Sequence, residues 1–118
     1  MDTKNVISAL AALAQDSRLA IFRLLIQLGP TGMAASKIGE RLDIPASSLS
    51  FHLKELAHAG LVTVRQEGRF MIYVANFDTM NALMGFLTDN CCGGNPCSPL
   101  HQPECMNAGA DGGNAWRD

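Results

Sequence analysis

Cysteine is absent from the first 90 residues of this 118-residue chain, and all four cysteines fall between positions 91 and 105. Glycine and proline are scarce in the same stretch, eight in all, whereas residues 91–118 hold another eight in less than a third of the length. No apolar run reaches the roughly 18 residues of a membrane span. Leu19–Leu28 comes nearest, and Arg23 and Gln27 interrupt it. The opening Met1-Asp2-Thr3-Lys4-Asn5 lacks the basic segment of a secretory signal, so a cytoplasmic protein with no membrane partner is expected. There is no internal repeat. A C-x-x-C beside a βαβ pattern is missing, and so is a Cys-x5-Arg loop, because the residue at that distance from Cys105 is Asp111. These gaps weigh against a small thiol reductase or another enzyme with a cysteine nucleophile.

What is present is a chain of single-domain length, 47% apolar, able to bury roughly two thirds of its unfolded surface. Its net charge of −2 is unevenly divided: residues 1–76 carry eight Lys/Arg against six acids, residues 77–118 one Arg against five acids. The expected organisation is a mildly basic folded domain at 1–90 and a flexible, acidic, cysteine-bearing C-terminal tail at 91–118.

In the body, apolar residues recur at helical spacing. Val6, Leu10 and Leu13, with Ile7, Ala11 and Ala14, predict a first helix with a broad apolar stripe. Asp16 is the expected N-cap of a second, apolar nearly all round and so central to a core, which Gly29-Pro30 ends. A short third helix fits Ala34–Leu42, burying Ala35, Ile38 and Leu42, and Asp43-Ile44-Pro45 makes a tight turn. The fourth helix fits Pro45–Ala59, with Pro45 at its first position, Leu49, Leu53 and Leu56 inward, and Gly60 as its left-handed cap. The period then changes to two: Val62–Arg65 and Phe70–Val74 read as strands, with Gln66-Glu67-Gly68-Arg69 as the turn. A last helix fits Phe77–Asn90, carrying Phe77, Met80, Leu83, Met84 and Leu87.

The fold class is therefore mainly α with a β-hairpin wing (α+β), a winged helix-turn-helix. The second helix of such a pair fits the major groove of DNA. Opposite its leucines the fourth helix offers Ser47, Ser48, Ser50 and Phe51, with Lys54 a turn later. Hydroxyls approach base edges and phosphates closely, a lysine neutralises a phosphate, and a phenylalanine can meet a thymine methyl. Arg65 and Arg69 flank the hairpin tip, where a wing meets the DNA backbone or minor groove. The alternative is an ordinary small helical domain whose arginines are merely solvated.

The tail reads Cys91-Cys92-x4-Cys97-x3-His101-x3-Cys105. In a reducing compartment, clustered thiols are metal ligands or redox groups rather than structural disulfides. Three thiolates alone suit a pyramidal ion with a lone pair, As(III) or Sb(III); four donors, completed by Cys105 or His101, suit Zn(II) or Cd(II). A thiol-redox switch and a metal-buffering protein without a DNA role stay open on these residues.

Ser48-Leu49-Ser50-Phe51-His52-Leu53-Lys54-Glu55-Leu56, followed by Ala59-Gly60-Leu61-Val62, Arg65, Gly68-Arg69 and Tyr73, resembles the signature of the ArsR/SmtB family of metal-responsive repressors. Asp16-Ser17-Arg18-Leu19-Ala20-Ile21-Phe22 is similar to the family's second-helix motif, and the likeness covers about residues 5–90. Phe51 departs from the polar residue often found at its position; His52 matches a family histidine, for which a structural or phosphate-contacting role is expected. The resemblance implies a homodimer formed by the first and last helices, bound to a palindromic operator. It also implies the ligands. The stretch Gly32–Ile38 lacks the Cys-x-Cys of one sensor type, and Phe77–Asn90 lacks the histidines of the zinc type. Cysteines just after the last helix resemble the As(III)-responsive members, which implies Cys91, Cys92 and Cys97 as ligands and Cys105 as a spare or a helper.

Overall fold

The computed structural model describes residues 1–89, in two units: Met1–Leu83, and the described part of Met84–Asp118. Helix α1 (Thr3–Leu13) begins where the Asp2 carboxylate accepts the Asn5 N–H at 2.8 Å. Helix α2 (Asp16–Leu28) begins one residue earlier in its cap than the sequence suggests. Gln15 is the extended capping residue and its side-chain oxygen accepts the Arg18 N–H at 3.0 Å. Asp16 is already helical, in the first turn, where its negative charge suits the positive end of the helix dipole. Ile21, Phe22, Leu24 and Leu25 are buried while Leu19 stays exposed, so α2 is one-sided rather than apolar all round.

After a 3-10 turn at Gly29–Thr31 comes an element that periodicity does not reveal, the two-residue strand β1 (Met33–Ala34). It pairs antiparallel with the later strand β3 (Phe70–Ala75), Met33 opposite Tyr73 and Ala34 opposite Ile72. Glycine is required just before it: Gly32 has φ +68°, and a Cβ there would lie 2.5 Å from the Tyr73 carbonyl oxygen. The hairpin is β2 (Val62–Glu67) with β3, paired from Val62–Ala75 to Glu67–Phe70, so the loop is Gly68-Arg69 alone and the sheet order is β1-β3-β2.

Helix α3 (Ala35–Leu42) buries Ile38 and leaves Ala35 and Leu42 half-buried. Asp43 then takes the left-handed conformation, φ +56°, and the Ile44 N–H donates to the Gly39 carbonyl at 3.0 Å. A Cβ on Gly39 would stand 3.1 Å from the Ile44 carbonyl oxygen and 3.2 Å from Leu49 Cδ2, so the absent side chain lets the turn and the next helix close on α3. Helix α4 (Ala46–His58) follows; Pro45 is the extended residue before it rather than its first member. Leu49, Leu53 and Leu56 are buried against α2 residues and Leu61, and Gly60, φ +78°, lies just beyond the helix end. Helix α5 (Phe77–Leu87) buries Leu83 and half-buries Phe77 and Met80 in the first unit. In the second unit the Thr88 hydroxyl donates to the Met84 carbonyl at 2.7 Å, and the helix closes short of the expected Asn90.

Candidate nucleic-acid interface

The Leu49/Leu53/Leu56 stripe fixes which face of α4 points outward, because positions 100° apart cannot all turn inward. Ser47, Ser48, Ser50, Phe51 and Lys54 are all exposed on the opposite side, with 55% of Phe51 open to solvent. No side chain caps the helix start, so the first-turn N–H groups add a positive end suited to a phosphate. The face combines three hydroxyls, one aromatic ring and one ammonium.

His52 is placed differently. It is half-buried, its Nδ1 sits 3.3 Å from Arg18 Nη1 of α2, and its ring meets Phe51 edge-on with centroids 5.7 Å apart and planes at 62°. Arg18 also donates through Nε to the Ala12 carbonyl of α1 at 2.7 Å. Nothing in residue spacing signals this link, which joins positions 34 apart in sequence.

The two wing arginines differ as well. Arg69, in the two-residue loop, is exposed. Arg65 is turned back on the protein: its guanidinium donates to the Glu67 carboxylate, to the Pro30 carbonyl at 3.1 Å and to the Thr31 carbonyl at 2.9 Å. It ties the hairpin to the 3-10 turn after α2. The sequence groups Arg65 with Arg69; the structure places them in different surroundings.

Residues 13–65 match a family model described as a helix-turn-helix domain. The chain is 36% identical over 77 residues to the uncharacterized HTH-type transcriptional regulator YceK of Bacillus subtilis, spanning 64% of this chain and 76% of that one. It is 35% identical over 81 residues to the arsenical resistance operon repressor of the same organism, spanning 69% of this chain and 73% of that one. The chain belongs to the ArsR family of transcriptional regulators. Solved structures agree. The ArsR-like transcriptional regulator from Rhodococcus sp. RHA1 superposes with a TM-score of 0.63 at 26% identity, covering 95% of this chain and 88% of that one. The homodimeric winged helix-turn-helix DNA-binding domain Mb0332 from Mycobacterium bovis gives 0.60 at 30% identity, covering 74% and 81%.

In this ArsR-family regulator, α3 and α4 are the helix-turn-helix and β2–β3 the wing. Cys91, Cys92, Cys97, Cys105 and His101 lie outside the described residues. Among the described residues, no three His, Cys, Asp or Glu side chains are grouped to hold a metal ion, and no helix is long and apolar enough to cross a membrane.

Proposed function

We propose that this protein is a metalloid-responsive repressor that binds a palindromic operator as a homodimer and is released when As(III) or Sb(III) occupies Cys91, Cys92 and Cys97. The observation that carries the DNA half is the outward face of α4, where Ser47, Ser48, Ser50, Phe51 and Lys54 stand exposed on a rigid leucine-anchored helix. Lys54 and Arg69 neutralise phosphates, the serines and Phe51 meet base edges, and Arg65 and His52 position wing and helix behind them. Dimerisation through α1 and α5 is supported by Ile7 and Leu10, which remain 60% and 41% exposed one turn apart on α1. Two-fold symmetry sets the half-sites about one helical turn of DNA apart.

The sensing half rests on the donor set. Three thiolates are soft ligands and fit a pyramidal ion, for which bound As(III) or Sb(III) supplies the centre. Consecutive positions on a helix point about 100° apart, so Cys91 and Cys92 converge only where the chain departs from helical geometry. Asn90, Gly93 and Gly94 are residues that permit this departure. The first ligand comes four residues after Leu87, the last residue of α5, so gathering the three pulls on the end of a dimer helix and shifts the spacing of the two α4 copies. The relative named as an arsenical resistance operon repressor favours this chemistry. Cys105 and His101 favour a second form, a four-donor Zn(II) or Cd(II) sensor.

Operator binding measured with arsenite, antimonite, Cd(II) and Zn(II) in turn tests the proposal. Arsenite or antimonite should release the DNA; release by Zn(II) or Cd(II) alone would replace the metalloid assignment with the four-donor one.

A further inference from the structure

Among the described residues, a single side-chain hydrogen bond reaches the reading helix from the rest of the fold, the one from Arg18 to His52. We propose that Arg18 is a specificity-positioning residue: acting through His52, it aims the Phe51 ring at a thymine methyl in the major groove. This rests on the DNA-reading role of α4 proposed above.

Arg18 is half-buried on α2 and holds two directions at once. Its Nε donates at 2.7 Å to the carbonyl of Ala12, one of the last-turn carbonyls that a helix cannot satisfy itself. That bond fixes the guanidinium plane, and Nη1 is thereby presented to His52 Nδ1 at 3.3 Å. A guanidinium can only donate, so Nδ1 is the acceptor and the ring is held in orientation by a charged donor. Phe51 then lies edge-to-face on that fixed ring, with centroids 5.7 Å apart. With 55% of its surface open, Phe51 has little packing to select a rotamer, so the imidazole is the surface that does. The chain of contact runs from the last turn of α1 through α2 to the outermost aromatic ring of α4. Direct DNA contact by Arg18 is not needed, since both of these donors point into the protein.

The experiment uses the full chain and a duplex selected by it from a random-sequence pool. Each thymine is replaced in turn by uracil, which deletes only the C5 methyl. The wild type should lose affinity about fourfold at one thymine in each half-site, the value of one buried methyl. Phe51→Ala should be indifferent to that replacement. Arg18→Gln should be equally indifferent although Phe51 is still present, while its salt dependence and its affinity for a random-sequence duplex stay within twofold of wild type. If Arg18→Gln does not fold, His52→Ala takes its place with the same expected loss. A folded Arg18→Gln or His52→Ala variant that keeps the fourfold sensitivity overturns the proposal. So does one that weakens selected and random duplexes in the same ratio, because that is a structural role only. A wild type indifferent to every uracil also overturns it, whereas a wild type that selects no duplex at all defeats the DNA-reading role itself.

Discussion

The reading helix and the wing reach the same proposed surface by opposite means. Helix α4 is anchored by three buried leucines, Leu49, Leu53 and Leu56, so its outward face is set by apolar burial that tolerates little tilt. The wing is anchored in this way only at its base, by Val62 and Ala75, with Tyr73 packed against the core. In β2 only Val62 is buried, and the strand beyond it is exposed through Glu67. Its angle depends on pairing with β3, on the two-residue strand β1 and on the polar grip of Arg65 on Pro30 and Thr31. A helix held by packing along its length moves only when the core gives way; the outer part of a hairpin held by strand pairing and one guanidinium can shift while the core stays intact.

The largest expected effect breaks the first anchor. Leu53→Ala removes a side chain that is 2% exposed and should cost about 2–5 kcal/mol, lowering the melting temperature and every binding function together. A thermal melt within a degree of wild type would show that α4 is held by something other than this stripe. Next comes Gly32→Ala. With φ +68° and a Cβ built 2.5 Å from the Tyr73 carbonyl oxygen, it should cost about 1–3 kcal/mol and loosen the β1–β3 pairing beneath the wing. Amide exchange should rise first at Met33 and Ala34; unchanged protection there would contradict the role given to β1.

Smaller effects separate the two arginines. Arg65→Ala, at an exposed ion pair and two backbone carbonyls, should cost under about 1 kcal/mol of stability and weaken operator affinity without changing its salt slope. Arg69→Ala should leave the melt alone and flatten the salt slope by about one unit, the signature of one lost phosphate contact. If Arg65→Ala flattened the slope and Arg69→Ala did not, the assignments of positioning and contact would have to be exchanged.

Much of the fold was legible from period and punctuation. The helical spacing of Leu49, Leu53 and Leu56, the left-handed Gly60, and the alternating Val62–Arg65 and Phe70–Val74 runs each encode their structure locally. The misses share a cause, which is partners far away in sequence. Met33–Ala34 is a strand only because Tyr73 and Ile72 lie beside it, and two residues cannot establish a period. Arg65 finds carbonyls 34 and 35 positions away, and His52 an arginine 34 away. The cap at Gln15 fails for a different reason: aspartate is the stronger capping residue by propensity, but glutamine reaches the same N–H when the chain turns one residue earlier. On the candidate interface, exposure of the serines, Phe51 and Lys54 followed from the leucine stripe, while the different surroundings of Arg65 and Arg69 depended on tertiary contacts.

Sulfur chemistry carries the sensing claim, and it can be read directly on the repressor–operator complex by titrating arsenite into wild type and into Cys91→Ser, Cys92→Ser and Cys97→Ser variants. Dissociation of the wild-type complex as the thiols fill, with all three variants bound to DNA and unresponsive, is the predicted result. An operator complex that survives arsenite at saturation of those cysteines would contradict it.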